Sequence, residues 1–230
     1  FTQEIGFTIL LGAVAVWVFC VILFSVFAIN MNATQKRLAN DEKIIKESIS
    51  VFTRFFEAKD EYTNGHSQRV AEYSKMIGKQ LGYSEDECRH IYYIALMHDC
   101  GKIYIPDNIL KKTERLTDEE YQVIKTHTTK GADMLYDFNS IEGIRDGALY
   151  HHERYDGKGY PTGKVGEDIP KIGRIICVAD SFDAMTTDRP YRSALSLESA
   201  LQEIKNNEGT QFNPDIVDDA IIALKKAFFK

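Results

Sequence analysis

His151–Pro161 reads HHERYDGKGYP. Two adjacent imidazoles are followed at once by a glutamate, an aspartate and a glycine-rich turn ending in Tyr160-Pro161. Their neighbours upstream answer part of what they are for. His151 and His152 stand seven and eight residues after Ile144, with Ala148 between, so they end the apolar stripe of a helix and point inward. A polar pair at the end of a core-facing stripe, running into a tight turn, is the pattern of a site held at a helix end.

Working outward, the same test applies to the other candidate ligands. His66 precedes Val70, Ile77 and Leu81 on one stripe, and His98 continues Ile91, Ile94 and Ala95, with Asp99 beside it. His127 follows Val123 and Ile124 and leads to Met134 and Leu135. Asp180 lies four after Ile176 and eight after Ile172, and Asp183 three further on. His90 falls on a mixed face and reads as a surface side chain. Alternating strand-like runs are scarce, and helices are predicted over 65–81, 84–100, 117–136, 140–153, 170–187, 196–206 and 214–228. Thr117 with Glu120, Ser84 with Glu87 and, more weakly, Ser196 with Ser199 are capping signals. Residues 154–169 read as a loop beside the site. The fold class is all-α.

Five histidines and two aspartates turned into one helical interior are costly, because a buried carboxylate or imidazole needs a partner. Bound divalent cations remove that cost together. Imidazole and carboxylate without thiolate favour iron or manganese over a structural zinc site. Seven donors exceed the needs of one ion with an open position, so two ions sharing Asp99 is the economical count. Cys20, Cys88, Cys100 and Cys177 are scattered without C-x-x-C spacing and read as buried free thiols.

The 230 residues carry Lys+Arg 28 against Asp+Glu 34, a net charge of -6, which leaves no basic excess for DNA or RNA. Ile5–Ile29 is apolar and uncharged, and about 20 such residues cross a bilayer. Lys36, Arg37, Lys43 and Lys46 follow it while only Glu4 precedes it, so the positive-inside rule puts the remainder in the cytoplasm, on an inner membrane. A chain that starts at Phe1 reads as part of a longer one. In residues 32–58 two heptad sets occur, Leu38, Ile45, Phe52 and Ile49, Phe56, which suit pairing with a second copy or packing on the next domain. The expected organisation is a transmembrane helix over 1–31, a helical linker over 32–59 and a catalytic domain over 60–230.

Five stretches in order, GHSQRV (65–70), HDCGKIYIPDNIL (98–110), His127 with Gly131, HHERYDGKGYP (151–161) and ADSFDAMTTDRPYR (179–192), make residues 60–228 resemble an HD-GYP domain. These are metal-dependent phosphodiesterases of the HD superfamily that hydrolyse cyclic di-GMP. The resemblance implies a helical HD bundle and metal ligation by His66, His98, Asp99, His127, His151, His152 and Asp180, with Asp99 as the bridge and His127, His151 and His152 on one ion. Some members use a glutamate four residues before the first histidine for a third ion; here Tyr62 stands there and Glu61 is out of phase, so two are expected. Cys100 and Thr128 depart from the usual aliphatic residue and proline without touching a donor position.

With that resemblance, Asp99 and Lys102 are the catalytic candidates, Lys102 to steady charge on phosphate or leaving oxygen. Asp156, Tyr160, Asp183, Arg189 and Arg192 join Lys102 as substrate contacts, the two arginines as forks for a second phosphate or a guanine edge, and Asp183 is also placed to orient a ligand or to bind Lys102. The expected activity is hydrolysis of cyclic di-GMP to linear pGpG, with GMP from a second cut, coupled to a membrane signal. The alternatives are an HD-superfamily phosphohydrolase of another cyclic dinucleotide or nucleotide, and an inactive receptor for such ligands.

Overall fold

The computed structural model describes residues 2–59, 65–188 and 193–228. Helix α1 runs unbroken over Thr2–Glu57, and the chain divides into two compact units between Ser48 and Ile49. The first unit is the longer part of α1, with Trp17, Phe24 and Phe27 exposed along an apolar stretch long enough to cross a membrane. The second unit contains everything from Ile49 onward. The two heptad sets part company here. Ile49 is buried in the core of the second unit and Phe56 packs against that core, whereas Leu38, Ile45 and Phe52 are exposed.

The second unit is helical, and no β-strand forms among the described residues. It comprises α2 (His66–Gln80), α3 (Glu85–Leu96), α4 (Asp107–Leu110), α5 (Asp118–Met134), α6 (Ile144–Tyr150), α7 (Lys171–Thr186), α8 (Leu197–Asn206) and α9 (Pro214–Phe228). Full capping boxes start α3 at Ser84/Glu87 and α5 at Thr117/Glu120, and the Ser196 hydroxyl accepts from the Ser199 N–H at the start of α8. α2 lies at the centre against α3, α7 and α9, while α6 joins α3, α5 and α7. Ile77, Leu96, Ile176, Phe182, Ile204, Ile216 and Leu224 are fully buried between these layers. Each such side chain contributes about 1.5–3 kcal/mol by leaving water.

Two predicted helices are shorter than their apolar patterns. The stripe read over 84–100 stops as a helix at Leu96, and the chain passes through a turn at His98 and Asp99 into a 3-10 helix, Cys100–Tyr104. The stripe over 140–153 is helical only from Ile144 to Tyr150. In both places the chain leaves the helix where donors converge, since a regular helix would carry adjacent side chains about 100° apart. The loop over 154–169 is confirmed, with one 3-10 turn at Gly166–Asp168.

One close crossing fixes the site. A Cβ on Gly101 would lie 2.0 Å from the His127 carbonyl oxygen and 2.5 Å from the Gly131 nitrogen. Only glycine lets α5, with His127, approach the turn that bears Asp99.

Candidate metal centre

Four helices and one turn deliver the predicted donors to a common point. His66 opens α2, the turn after α3 supplies His98 and Asp99, α5 supplies His127, the end of α6 supplies His151 and His152, and α7 supplies Asp180. They form two groups whose ligand atoms lie within 4.8 Å of one another: Asp99, His127, His151 and His152 in one, His66, His98 and Asp180 in the other.

Asp99 stands between them. Its Oδ1 lies 3.4 Å from His127 Nε2 and 3.8 Å from His151 Nε2, while its Oδ2 lies 3.7 Å from His66 Nε2 and 3.4 Å from His98 Nε2. His66 Nε2 is also 3.2 Å from Asp180 Oδ1. One carboxylate therefore offers an oxygen to each group.

The imidazoles are oriented from behind. Nδ1–H of His98 donates to the Ala95 carbonyl at 2.7 Å, that of His127 to Ile124 at 2.8 Å, and that of His151 to Gly147 and Ala148 at 3.0 Å. Because a carbonyl only accepts, the proton sits on Nδ1 and the Nε2 lone pair faces the centre. His66 is held instead by a carboxylate, its Nδ1–H donating to Asp183 Oδ2 at 2.7 Å. Asp183 also accepts from Arg69, Nε at 2.6 Å and Nη2 at 3.1 Å.

This arrangement is incomplete as a set of protein groups alone. His98 Nε2 and Asp99 Oδ1 are buried without a hydrogen-bond partner among the described residues. His127 Nε2 and His151 Nε2 face each other at 3.3 Å, although both Nδ1 atoms already carry the proton. Two inward lone pairs at that distance repel unless a cation lies between or beside them. The donors present thus fit divalent metal, and the absence of thiolate in either group points to a nitrogen- and oxygen-preferring ion.

The charges agree. Burial pushes the Asp99 carboxyl up, but Lys102 and His98 outweigh it and hold the group well below the usual carboxylate range. Burial pushes His151 well below its ordinary value and His152 down to about 4, so both stay neutral and able to ligate. His66 goes the other way: burial lowers it, yet hydrogen bonds to Asp180 and Asp183 lift it to about 9. A proton there occupies the place that a cation takes.

Lys102 reaches Asp99 Oδ2 at 2.7 Å, from the 3-10 turn rather than from a continuing α-helix. Tyr160 stacks its ring on His152, centroids 4.8 Å apart and 28° between planes. Two expected substrate contacts are engaged with other protein groups. Asp183 is 1% exposed and spends both oxygens on His66 and Arg69, so it orients a donor instead of meeting ligand or Lys102. Asp156 is held by Arg154, with Oδ1 accepting from Nε at 3.1 Å and Oδ2 from Nη2 at 2.8 Å, and it also accepts from the Lys158 N–H; it braces the turn. Arg189 and Arg192, like Glu61 and Tyr62, lie outside the described residues.

Several contributors lie outside the candidates singled out from the sequence. Arg69 shares a helical face with His66, one turn on, and was legible in principle. Glu57 accepts from the Gly65 and Ser67 N–H groups at 3.1 and 2.8 Å, which places the last turn of α1 on the start of α2; no local pattern announces a cap from eight residues away. Glu153, next to the histidine pair, is buried and accepts from Thr162 N–H and hydroxyl, both at 2.7 Å, and from Gly163 N–H.

Residues 50–216 match the HD domain family model. A cyclic di-GMP phosphodiesterase of Thermotoga maritima is 41% identical over 187 residues, covering 80% of this chain and 50% of that protein. The 3'3'-cGAMP-specific phosphodiesterase 3 of Vibrio cholerae is 35% identical over 198 residues, 86% of this chain and 42% of that one. The chain thus spans about half the length of these curated relatives. Among solved structures, the HD domain of the L. monocytogenes phosphodiesterase PgpH, in complex with cyclic-di-AMP, aligns with a TM-score of 0.59 at 19% identity, over 77% of this chain and 94% of that one, a likeness of fold.

Proposed function

Because the chain belongs to the HD domain family, we propose that it is a metal-dependent phosphodiesterase that opens cyclic di-GMP to linear pGpG. The observation that supports this most is the pair of donor groups sharing Asp99, with buried lone pairs left over on each side. His127, His151, His152 and Asp99 would hold one ion, and His66, His98, Asp180 and Asp99 the other, iron or manganese by donor type. Held there, two such ions would supply positive charge for a phosphate in this acidic chain and would lower the pKa of a bound water.

The chain's own residues do the rest. Nδ1 hydrogen bonds fix each ring before substrate arrives, so no reorganisation is needed during reaction. Asp183, backed by Arg69, holds His66 in place from outside the donor set. The Lys102 ammonium, beside Asp99, offsets charge that grows on the phosphate or on the departing 3' oxygen. Tyr160, fixed on His152, walls the approach to the group of Asp99, His127, His151 and His152.

The organisation proposed with this activity is a membrane span over 1–31, a linker over 32–59 and a catalytic domain over 60–230, whose core takes in the linker from Ile49 onward. The exposed Leu38, Ile45 and Phe52 stripe would pair with a second copy, and the basic residues after the span would keep the catalytic domain in the cytoplasm at the inner membrane.

A second substrate, 3'3'-cGAMP, is favoured by the 3'3'-cGAMP-specific relative from Vibrio cholerae. Anaerobically purified protein loaded with iron or manganese, incubated with cyclic di-GMP, 3'3'-cGAMP and cyclic di-AMP, decides between them. The proposal expects a linear dinucleotide from cyclic di-GMP and its loss in Asp99→Ala. Fully loaded protein that leaves all three intact overturns it.

A further inference from the structure

Beyond the seven donors, Tyr160 of the 154–169 loop and two side chains of α5, Tyr121 and Lys125, form a second group beside His127 and His152. Tyr160, stacked on His152, also stands 6.4 Å from the His127 ring. On its far side Tyr121 meets it edge-on, centroids 6.5 Å apart at 80°, and Tyr121 remains 46% exposed. Lys125, one helical turn after Tyr121 on the same face of α5, places its Nζ 5.1 Å from the Tyr121 centroid and 5.7 Å from that of Tyr160.

The charge of Lys125 is used differently from its neighbours'. Lys102 faces Asp99, Arg69 faces Asp183, Arg154 faces Asp156 and Lys112 faces Glu120. Lys125 meets two aromatic rings and no carboxylate among the described residues. Held over ring faces and half-buried, its ammonium is partly stripped of water, which strengthens its pull on an incoming anion. In a chain of net charge -6, a cation left uncommitted beside the metal groups is a place where a phosphate is caught locally. The exposed ring of Tyr121 next to it is a stacking surface for a flat base.

We propose that Tyr121 and Lys125, completed by Tyr160, form a nucleotide subsite outside the metal groups: Tyr121 stacks a purine of the cyclic dinucleotide and Lys125 binds the phosphate that is not being cut. This rests on the reading of the chain as a cyclic-dinucleotide phosphodiesterase. It assigns to α5 a share in substrate selection in addition to the His127 ligand.

The test compares two diesters on the metal-loaded full chain, cyclic di-GMP and bis(p-nitrophenyl) phosphate, which has one phosphate and no purine. In Lys125→Ala and Tyr121→Ala, kcat/KM for cyclic di-GMP is expected to fall about tenfold or more, chiefly through KM. The loss on the small diester is expected to be at least about fivefold smaller, with bound metal at wild-type level. Lys125→Arg restores most of the cyclic di-GMP value. Equal losses on both substrates, or none on cyclic di-GMP, overturn the subsite alone. A wild-type protein that cleaves the small diester and no cyclic dinucleotide overturns the functional reading and the subsite with it.

Discussion

Replacing Asp183 by asparagine separates a donor's orientation from its presence. Asp183 touches neither group's centre; it accepts the His66 Nδ1–H at 2.7 Å and pairs with Arg69 at 2.6 Å. Asparagine keeps the volume but has one acceptor oxygen, and its amide N–H2 must then face either the imidazole N–H or the guanidinium, donor against donor. Each lost bond to the charged acceptor is worth about 1.5–3 kcal/mol, and breaking a buried pair costs about 3–5 kcal/mol. The Arg69 side chain is 36% exposed, so water takes over part of its solvation and the lower end applies. Metal-free Asp183→Asn is therefore expected to lose about 2 kcal/mol in urea unfolding.

The larger effect is on the ion at His66, His98 and Asp180. With Nδ1–H unsupported, the ring turns and its Nε2 becomes less basic, and loss of such a partner weakens metal binding about 10–100-fold. Chelator competition on the folded variant should show one weakened ion and one unchanged, because His127 and His151 are oriented by backbone carbonyls and not by Asp183. An Asp183→Asn protein that holds both ions with wild-type affinity refutes the claim that this carboxylate positions His66.

Other perturbations probe the supports. Glu57→Ala removes the acceptor of two N–H groups at the start of α2 and is expected to lower the unfolding free energy of the helical unit in urea by about 1 kcal/mol; an unchanged midpoint contradicts the cap. Gly101→Ala drives a methyl to within 2.0 Å of the His127 carbonyl, so the variant should lose more than about 3 kcal/mol or fail to fold, and a soluble Gly101→Ala with normal melting and metal content contradicts the close crossing. Metal-free protein should be most stable near neutral pH. His66, pushed down by burial but lifted to about 9 by Asp180 and Asp183, contributes stability that is complete below its unfolded value of 6.5 and lost as pH rises through 9. His152, which burial lowers to about 4, contributes nothing at high pH and penalises the folded state as pH falls from 6.5 toward 4. Urea midpoints of apo protein at pH 5, 7 and 9 check this, and a steady rise from 7 to 9 argues against the His66 assignment.

What the sequence revealed and what it hid have a common physical origin. Apolar periodicity located α2, α5, α7, α8 and α9 and turned His66, His127 and Asp180 inward, because those donors sit within or at the start of regular helices. Periodicity over-extended α3 and α6, since the apolar stripe continues through residues whose backbone has already turned. Asp99 was legible as the shared donor from the count of ligands, yet which oxygen serves which group follows only from the turn after Leu96. Asp183 was ambiguous, because its helical spacing fits an inward carboxylate equally well whether it meets substrate, binds Lys102 or backs a histidine; only the His66 and Arg69 contacts decide. Glu57 was invisible, as a cap supplied from the end of the preceding helix leaves no trace in local spacing.

The central claim is that seven donors from four helices and one turn hold two cations through Asp99. Elemental analysis of protein purified without air, paired with Asp99→Ala, tests it most directly. The account predicts about two iron or manganese ions per chain in the natural sequence and loss of ion from both groups in the variant. Wild-type protein that binds a single ion per chain under saturating metal, or an Asp99→Ala protein that keeps both, contradicts it.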